Sequence, residues 1–194
     1  MTDAQPPASG KWKRITRKLV GLGIIVGLIA IGVAGYDYFR WKHFAVVVEG
    51  SVYRSGQIRP EQLESAIQKL GLKTVINLNS KTHAQESEIC KKAGIQCLNF
   101  DMPSDGLGAM DDYAVILRTL RDPAQQPVLV HCQAGVARTG ASVALYRMFE
   151  QGWDGERAIA ELRSFERKGR IDPRFREHIL AMRKTFESTT TMKK

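Results

Sequence analysis

One segment restricts the fold of this 194-residue chain more than any other. Residues 127–132, PVLVHC, are the most apolar of its short β-type runs, and the glycine-bearing turn QAGVARTG leads directly from them into a helical stretch that begins near Thr139. From residue 44 onward, β-branched runs alternate with longer helical stretches in the same way. This alternation is typical of an α/β fold in which helices flank a central, mostly parallel sheet.

Apolar spacing and helix-ending glycines predict the individual elements. Leu63, Ile67 and Leu70 recur at helical spacing, and Gly71 and Gly94 are expected to end two helices. The predicted strands cover residues 45–48, 51–55, 73–79, 95–100 and 127–132, and the first two are expected to form a hairpin. The predicted helices cover residues 60–70, 83–93, 110–121, 139–151, 154–168 and 172–187.

A long apolar run lies near the start of the chain. Residues 19–36 hold no charged or amide side chain for 18 positions, and as a helix they would be about 27 Å long, close to the hydrocarbon thickness of a bilayer. We therefore expect one transmembrane helix as a membrane anchor over residues 19–38, after a basic disordered leader over residues 1–18. A cleaved signal peptide is the alternative, because Gly32 and Ala34 are small residues at the offset of a cleavage site.

The basic residues around this run predict its orientation. Five precede it and three follow it in a similar window, namely Lys11, Lys13, Arg14, Arg17 and Lys18 against Arg40, Lys42 and Arg54. Because positive charge is retained on the cytoplasmic side, the N-terminus is expected there. A single-pass membrane protein follows, with residues 45 onward on the periplasmic or another non-cytoplasmic side.

Charge and cysteine content exclude several classes of function. The net charge is +9, but residues 19–164 hold 15 basic and 15 acidic side chains, so the excess lies at the two ends and not in a nucleic-acid groove. Cys90, Cys97 and Cys132 form no C-x-x-C pair, which argues against a structural metal. We expect no nucleic-acid partner, no metal and no cofactor.

The C-terminal helices are strongly basic. An anionic lipid surface or an acidic substrate could face their charges, although a solvated helical surface is the common fate of such a run. The charges cluster around one predicted turn, at Arg163, Arg167, Lys168, Arg170, Arg174 and Arg176.

The turn after residue 131 suits a phosphate group. A strand-to-helix turn directs several backbone N–H groups to one point and adds the positive end of a helix dipole. Arg138 can bind two phosphate oxygens with its planar fork, and Gly135 can supply a close backbone approach. In such a field the pKa of the Cys132 thiol can fall from about 8.5 into the range of about 3.5–7.5, which produces the nucleophilic thiolate.

Six positions of this segment carry a resemblance to a known family. His131, Cys132, Gly135, Arg138, Thr139 and Gly140 match the signature H-C-x-x-G-x-x-R-[ST]-G, so the chain resembles a cysteine-dependent phosphatase of the protein tyrosine phosphatase superfamily. The openings SVYRSGQ and KTVINL look like the dual-specificity phosphatase branch.

The resemblance implies a catalytic domain over residues 44–187 and a polar tail over residues 188–194. It implies that Thr139 donates its hydroxyl to the sulfur, easing departure of the thiolate from a phosphocysteine intermediate. It also implies that His131 positions Cys132. The phosphate would lie in a cradle, our name for residues 132–138, formed by Cys132, Gln133, Ala134, Gly135, Val136, Ala137 and Arg138.

An acid must protonate the leaving oxygen, and phosphatases of this kind resemble one another in using an Asp on a mobile upstream loop. The loop 101–108 offers Asp105 and Asp101. Asp105 precedes Gly106 and lies eight residues before Tyr113, a placement similar to the acid loop of dual-specificity phosphatases, and this resemblance favours it. Asp101 could simply cap a turn.

The cradle also bears on the substrate. No lysine occurs at the variable positions Gln133, Ala134, Val136 and Ala137, where phosphoinositide enzymes of the superfamily often have basic residues, so a phosphorylated protein is favoured. No tyrosine-recognition loop is evident, which favours a site open to both phosphotyrosine and phosphoserine or phosphothreonine. The alternatives are a membrane lipid or sugar phosphate as substrate, and a non-catalytic module that binds phosphate.

Overall fold

The computed structural model describes residues 18–29, 41–166 and 172–191. The chain divides into two units, Met1–Arg40 and Trp41–Lys194. In the first unit the described residues 18–29 form helix α1, and its large apolar side chains are exposed.

The prediction of a transmembrane helix over residues 19–38 is wrong. Helix α1 is about 18 Å long over its described residues, shorter than the hydrocarbon core. Within the described ranges, no helix combines the length and the apolar character needed to cross a bilayer. The prediction of a single-pass membrane protein depended on this helix and is wrong as well. The same holds for the prediction that residues 19–36 bind the membrane. The leader over residues 1–18 and the second half of the expected anchor lie outside the described residues, apart from Lys18.

The second unit contains a five-stranded mixed sheet. Its strands are β1 (Ala45–Val48), β2 (Val52–Ser55), β3 (Thr74–Asn77), β4 (Gln96–Asn99) and β5 (Val128–His131). Their order across the sheet is β1-β2-β5-β3-β4. Strands β1 and β2 pair antiparallel, as the predicted hairpin requires, and all other neighbours are parallel. The predicted α/β fold with a mostly parallel sheet is confirmed in this unit.

The helices follow the predicted order. They are α2 (Pro60–Leu70), α3 (His83–Ala93), α4 (Met110–Arg121), α5 (Ala137–Glu150), α6 (Gly155–Ser164) and α7 (Phe175–Thr191). Gly71 and Gly94 end α2 and α3 in the left-handed conformation, with φ of 59° and 69°. Helix α5 begins two residues earlier than predicted and α6 ends earlier, at Ser164.

Strand β5 lies in the middle of the sheet and is buried on both faces. Val128 and Val130 pack into the core shared with α4 to α7, whereas Leu129 packs into the core beneath α2 and α3. Burying each of these side chains contributes about 1.5–3 kcal/mol. Because both faces of β5 are packed, the backbone at the end of this strand is held in place. Cys132, the next residue, is therefore positioned by the sheet.

Candidate active site

The cradle joins the end of β5 to the first turn of α5. Its tightest point is Gly135, which has a φ of 73°. A Cβ there would lie 2.6 Å from the backbone nitrogen of Gly56, just after β2, so no larger residue fits. The predicted strand, turn and helix around Cys132 are therefore formed, and the turn is packed against the neighbouring strand.

Cys132 is the buried thiol at the floor of the cradle. Its side chain is 1% exposed, and the backbone N–H of Gly135 donates a hydrogen bond to Sγ at 3.2 Å. Burial raises the pKa of the thiol, but hydrogen bonds from the Thr139 hydroxyl and backbone N–H, the Arg138 charge and the Gly135 N–H outweigh it. The net effect is a pKa below the ordinary thiol value, which favours the thiolate.

Arg138 is buried at the start of α5. Its Nη1 donates to the backbone carbonyls of Leu78, after β3, and of Met102, after β4, the latter at 3.4 Å. Its Nε has no hydrogen-bond partner among the described residues. The two carbonyls hold the guanidinium in place, and its Nε–H is available to an oxygen of a bound phosphate.

His131 is joined to a residue that the sequence analysis overlooked. His131 is fully buried, and its Nε2 lies 2.8 Å from Oε2 of Glu86 on α3. Asn77 and Gln57 also donate to the Glu86 carboxylate. Burial raises the pKa of Glu86, but its interactions with His131, Gln57 and Thr82 hold it below the ordinary value. In sequence Glu86 resembles any polar helix residue, so no local signal identifies it.

The 101–108 loop places Asp105 and Asp101 differently. A Cβ on Gly106 would lie 3.1 Å from the carbonyl carbon of Ala137 at the start of α5, and the Tyr113 hydroxyl donates to the Gly106 carbonyl at 2.8 Å. Asp105 is therefore next to a residue that packs on the cradle, and its Oδ1 accepts the N–H of Leu107 at 2.9 Å. Asp101 is exposed at the end of β4.

The remaining predicted residues lie at the base and the mouth of the cradle. Thr139 is fully buried, with its hydroxyl 3.4 Å from the carbonyl of Ser55. Gln133 and Ala134 are exposed, and Val136 and Ala137 are partly exposed.

Two residues to which the sequence analysis gave no role at the cradle hold its outer side. Lys42 Nζ donates to the Gln133 carbonyl at 3.0 Å, and His43 Nδ1 lies 2.7 Å from the Ala134 carbonyl. Their only sequence signal is position just before the first strand, so they could not be assigned from a pattern.

Two arginines of the basic C-terminal region form ion pairs with nearby carboxylates. Arg174 pairs with Asp172, and Arg176 pairs with Glu156. Arg167, Lys168 and Arg170 lie outside the described residues. Anionic-lipid contact by these helices has no support in this arrangement. In the part of the chain that the structure describes, no group of three or more His, Cys, Asp or Glu side chains could hold a metal ion.

The fold is that of the tyrosine phosphatase family. A sequence model of the tyrosine phosphatase family matches residues 38–192, so the protein belongs to that family.

Two curated relatives show the range of this family. The chain is 28% identical over 112 residues to the dual specificity protein phosphatase TpbA of Pseudomonas aeruginosa, covering 58% of this chain and 50% of that protein. It is 32% identical over 142 residues to an inositol diphosphatase of Arabidopsis thaliana, covering 70% of each. The chain thus spans about half the length of the Pseudomonas relative.

A solved structure agrees with the fold. The core catalytic domain of the PP-IP phosphatase SIW14 from Saccharomyces cerevisiae superposes with a TM-score of 0.65 at 25% identity. The match covers 77% of this chain and 91% of that domain. The relatives of the chain within this family include both a protein phosphatase and an inositol diphosphatase.

Proposed function

We propose that the protein is a metal-independent phosphomonoester hydrolase that uses Cys132 as nucleophile and forms a phosphocysteine intermediate. The observation that carries the proposal is the buried Cys132 thiol directly after β5, which accepts a hydrogen bond from the Gly135 N–H and has a lowered pKa. A thiolate prepared in this way attacks phosphorus without a separate base or a metal ion. The reaction requires no cofactor.

The first chemical step transfers the phosphoryl group to sulfur. The Cys132 thiolate attacks phosphorus, the bond between phosphorus and the leaving oxygen breaks, and Asp105 gives that oxygen its proton. The cradle N–H groups and Arg138 bind the phosphoryl oxygens. The positive end of the α5 dipole stabilises the negative charge of these oxygens.

The second step releases phosphate. Water attacks phosphorus, the Asp105 carboxylate takes a proton from the water, and the sulfur leaves as thiolate. The Thr139 hydroxyl stabilises the departing thiolate, and His131, held by Glu86, keeps the end of β5 in position. Inorganic phosphate then leaves and the free enzyme is restored.

A phosphorylated protein is the proposed substrate class, with phosphotyrosine and phosphoserine or phosphothreonine both admitted. Support comes from the uncharged side chains of Gln133, Ala134, Val136 and Ala137, which give no basic groups for further phosphates. The Pseudomonas relative is named a dual specificity protein phosphatase.

An inositol diphosphate is the second candidate substrate. The observation that favours it is the Arabidopsis relative, an inositol diphosphatase that is matched over 70% of its length. Lys42 also supplies an exposed cation at the cradle, where its Nζ donates to the Gln133 carbonyl.

The test begins with hydrolysis of p-nitrophenyl phosphate by the full chain, with a metal chelator present and Cys132→Ser as the control. Activity that persists with chelator and disappears in the variant is the expected result. A folded, reduced wild type with no activity would contradict the proposal and leave a non-catalytic phosphate-binding module. The second stage compares phosphotyrosine and phosphothreonine peptides with an inositol diphosphate at equal concentration. Higher kcat/KM for the peptides is expected, and the reverse order would assign the second candidate.

A further inference from the structure

Arg54 is a buried cation directly beneath the cradle. It lies on β2, which pairs in parallel with β5, and its side chain is 1% exposed. In the sequence it is one charge within SVYRSGQ, yet the four residues of β2 are all buried in the structure. A charged side chain on such a strand requires an explanation, because leaving a buried charge without full hydrogen bonding costs stability.

Arg54 makes a hydrogen bond to the cradle and packs against an aromatic ring. Its Nη2 donates to the Gly135 carbonyl at 2.7 Å, and its guanidinium carbon lies 3.7 Å from the centre of the Phe165 ring. Its Nε and Nη1 have no hydrogen-bond partner among the described residues. One cradle carbonyl is thus the acceptor that fixes the orientation of this guanidinium.

A hydrogen bond to the Gly135 carbonyl affects the orientation of the neighbouring N–H groups of the cradle. In a trans peptide the carbonyl and the following N–H point in opposite directions, so the N–H of Val136 points away from the Arg54 guanidinium that holds the Gly135 carbonyl. Gly135 also donates its own N–H to Cys132 Sγ while it holds a φ of 73°. Fixing the carbonyl of Gly135 therefore restricts both neighbouring peptides of the cradle.

We propose that Arg54 is a positioning residue that holds the Gly135 peptide in the orientation needed for anion binding and supports the Cys132 thiolate with its charge. The proposal rests on the proposed phosphatase function. It assigns Arg54 no contact with the substrate.

The electrostatics of the site agree with this geometry. Burial lowers the pKa of Arg54 to about 10, while the charges of Glu161 and Cys132 act in the opposite direction and Arg147 adds to the lowering. Because electrostatic interaction is reciprocal, Arg54 stabilises the thiolate of Cys132. Among the described residues, other titratable groups near the thiol include His131 on β5, Tyr113 on α4 and Arg138 on α5, and the Asp105 charge acts on Tyr113.

The test measures the thiol as well as the rate. The pH dependence of iodoacetamide alkylation is followed in the full chain, with the adduct on the Cys132 peptide quantified by mass spectrometry so that Cys90 and Cys97 do not contribute. Inhibition by orthovanadate, a phosphate analogue, reports anion binding, and thermal unfolding reports stability. The variants are Arg54→Met and Arg54→Lys.

Arg147→Met is a matched control. Arg147 also donates to a backbone carbonyl, that of Val47 at 2.9 Å, and lies over an aromatic ring, that of Trp153. It makes no hydrogen bond to the cradle within the described residues. Its loss is expected to lower the melting temperature and to leave the alkylation midpoint and the orthovanadate affinity within about twofold of wild type.

Arg54→Met is expected to raise the alkylation midpoint by about one pH unit and to weaken orthovanadate binding by about 10- to 100-fold. Arg54→Lys, which keeps the charge but loses the planar fork, should shift the midpoint less and still weaken orthovanadate binding. A folded Arg54→Met with wild-type values of both would overturn the proposal.

If Arg54→Met does not fold, Arg54→Lys carries the test, because it keeps the buried charge and loses the planar fork. Weaker orthovanadate binding than in wild type is then expected, and wild-type binding would overturn the proposal. Failure of the phosphatase function is recognised separately. A wild type that does not hydrolyse p-nitrophenyl phosphate, but whose Cys132 midpoint still depends on Arg54, would remove the activity and keep the positioning role.

Discussion

The Nε2 atom of His131 lies 2.8 Å from Oε2 of Glu86, and both side chains are buried. This contact ties helix α3 to the residue immediately before Cys132. Asn77 on β3 also donates to Glu86 at 2.8 Å, so the end of β5 is held through one carboxylate from a neighbouring strand and a helix. The position of the candidate nucleophile thus depends on a residue 46 positions earlier in the chain.

Glu86→Gln is expected to destabilise the protein by about 1–3 kcal/mol at pH 7, because an amide cannot accept from all the donors that face this buried carboxylate. Denaturant unfolding measures the change. Glu88→Gln is the control, since Glu88 is an exposed carboxylate on the same helix and its loss should change the free energy of unfolding by at most about 0.5 kcal/mol. Equal effects of the two substitutions would contradict a special role for Glu86.

The Glu86 carboxylate also predicts a pH dependence. Its pKa is lower in the folded state than in the unfolded state, where it is about 4.3, so the unfolded state binds a proton more readily. Its contribution is therefore complete above the unfolded pKa and is lost as the pH falls through the folded pKa. Wild type should lose more stability than Glu86→Gln between pH 6 and pH 3, when unfolding is followed at each pH.

Local patterns predicted most of the fold. The bounds of α2, α3 and α4 agree with the predicted ranges because each helix has local apolar spacing, and α2 and α3 also end at a left-handed glycine. The signature predicted which residues the cradle brings together, from Cys132 to Arg138. In both cases the information lies within a short stretch of sequence.

The contacts that the sequence could not predict are all long-range. Arg54 reaches the cradle, and Glu86 reaches His131, only after the parallel strands have paired. Arg54 lies within SVYRSGQ, but nothing in that segment indicates which carbonyl its side chain contacts. The transmembrane helix predicted from the apolar run over residues 19–36 was wrong, because hydropathy alone does not define a helix long enough to span a bilayer.

Asp105→Asn is expected to lower kcat by about 10²- to 10⁴-fold, which corresponds to about 3–5 kcal/mol in the activation barrier. An amide occupies the same space but cannot give a proton to the leaving oxygen. The loss should be larger for phenyl phosphate than for p-nitrophenyl phosphate, because the more basic phenolate leaves less readily without a proton. Steady-state kinetics with both esters measures the difference.

Asp101→Asn is the companion variant for this prediction. Asp101 is exposed at the end of β4, and its substitution should leave kcat within a fewfold of wild type for both esters. A normal rate in Asp105→Asn together with a large loss in Asp101→Asn would transfer the acid role to Asp101.

Tyr113→Phe is expected to weaken the hold on the 101–108 loop. The Tyr113 hydroxyl donates to the Gly106 carbonyl at 2.8 Å inside the protein, and this bond should contribute about 0.5–1.5 kcal/mol to stability. We expect kcat to fall severalfold, because Asp105 adjoins Gly106, while orthovanadate binding stays near wild type. Tyr146→Phe is the control on α5, away from this loop, and an equal loss of kcat there would argue against loop anchoring.

Thr139→Ala tests the stabilisation of the thiolate by a single hydroxyl. Burial raises the pKa of Cys132 and the Thr139 hydroxyl is foremost among the groups that lower it, so the variant should alkylate with a higher midpoint pH. Because the thiolate is the leaving group of the second step, kcat should fall about tenfold, more than kcat/KM, and a burst of p-nitrophenol should precede the steady state. Ser142→Ala is the matched control, since this buried hydroxyl, one turn further along α5, donates to the Arg138 carbonyl at 3.1 Å. A burst in both variants, or in neither, would contradict the role of Thr139.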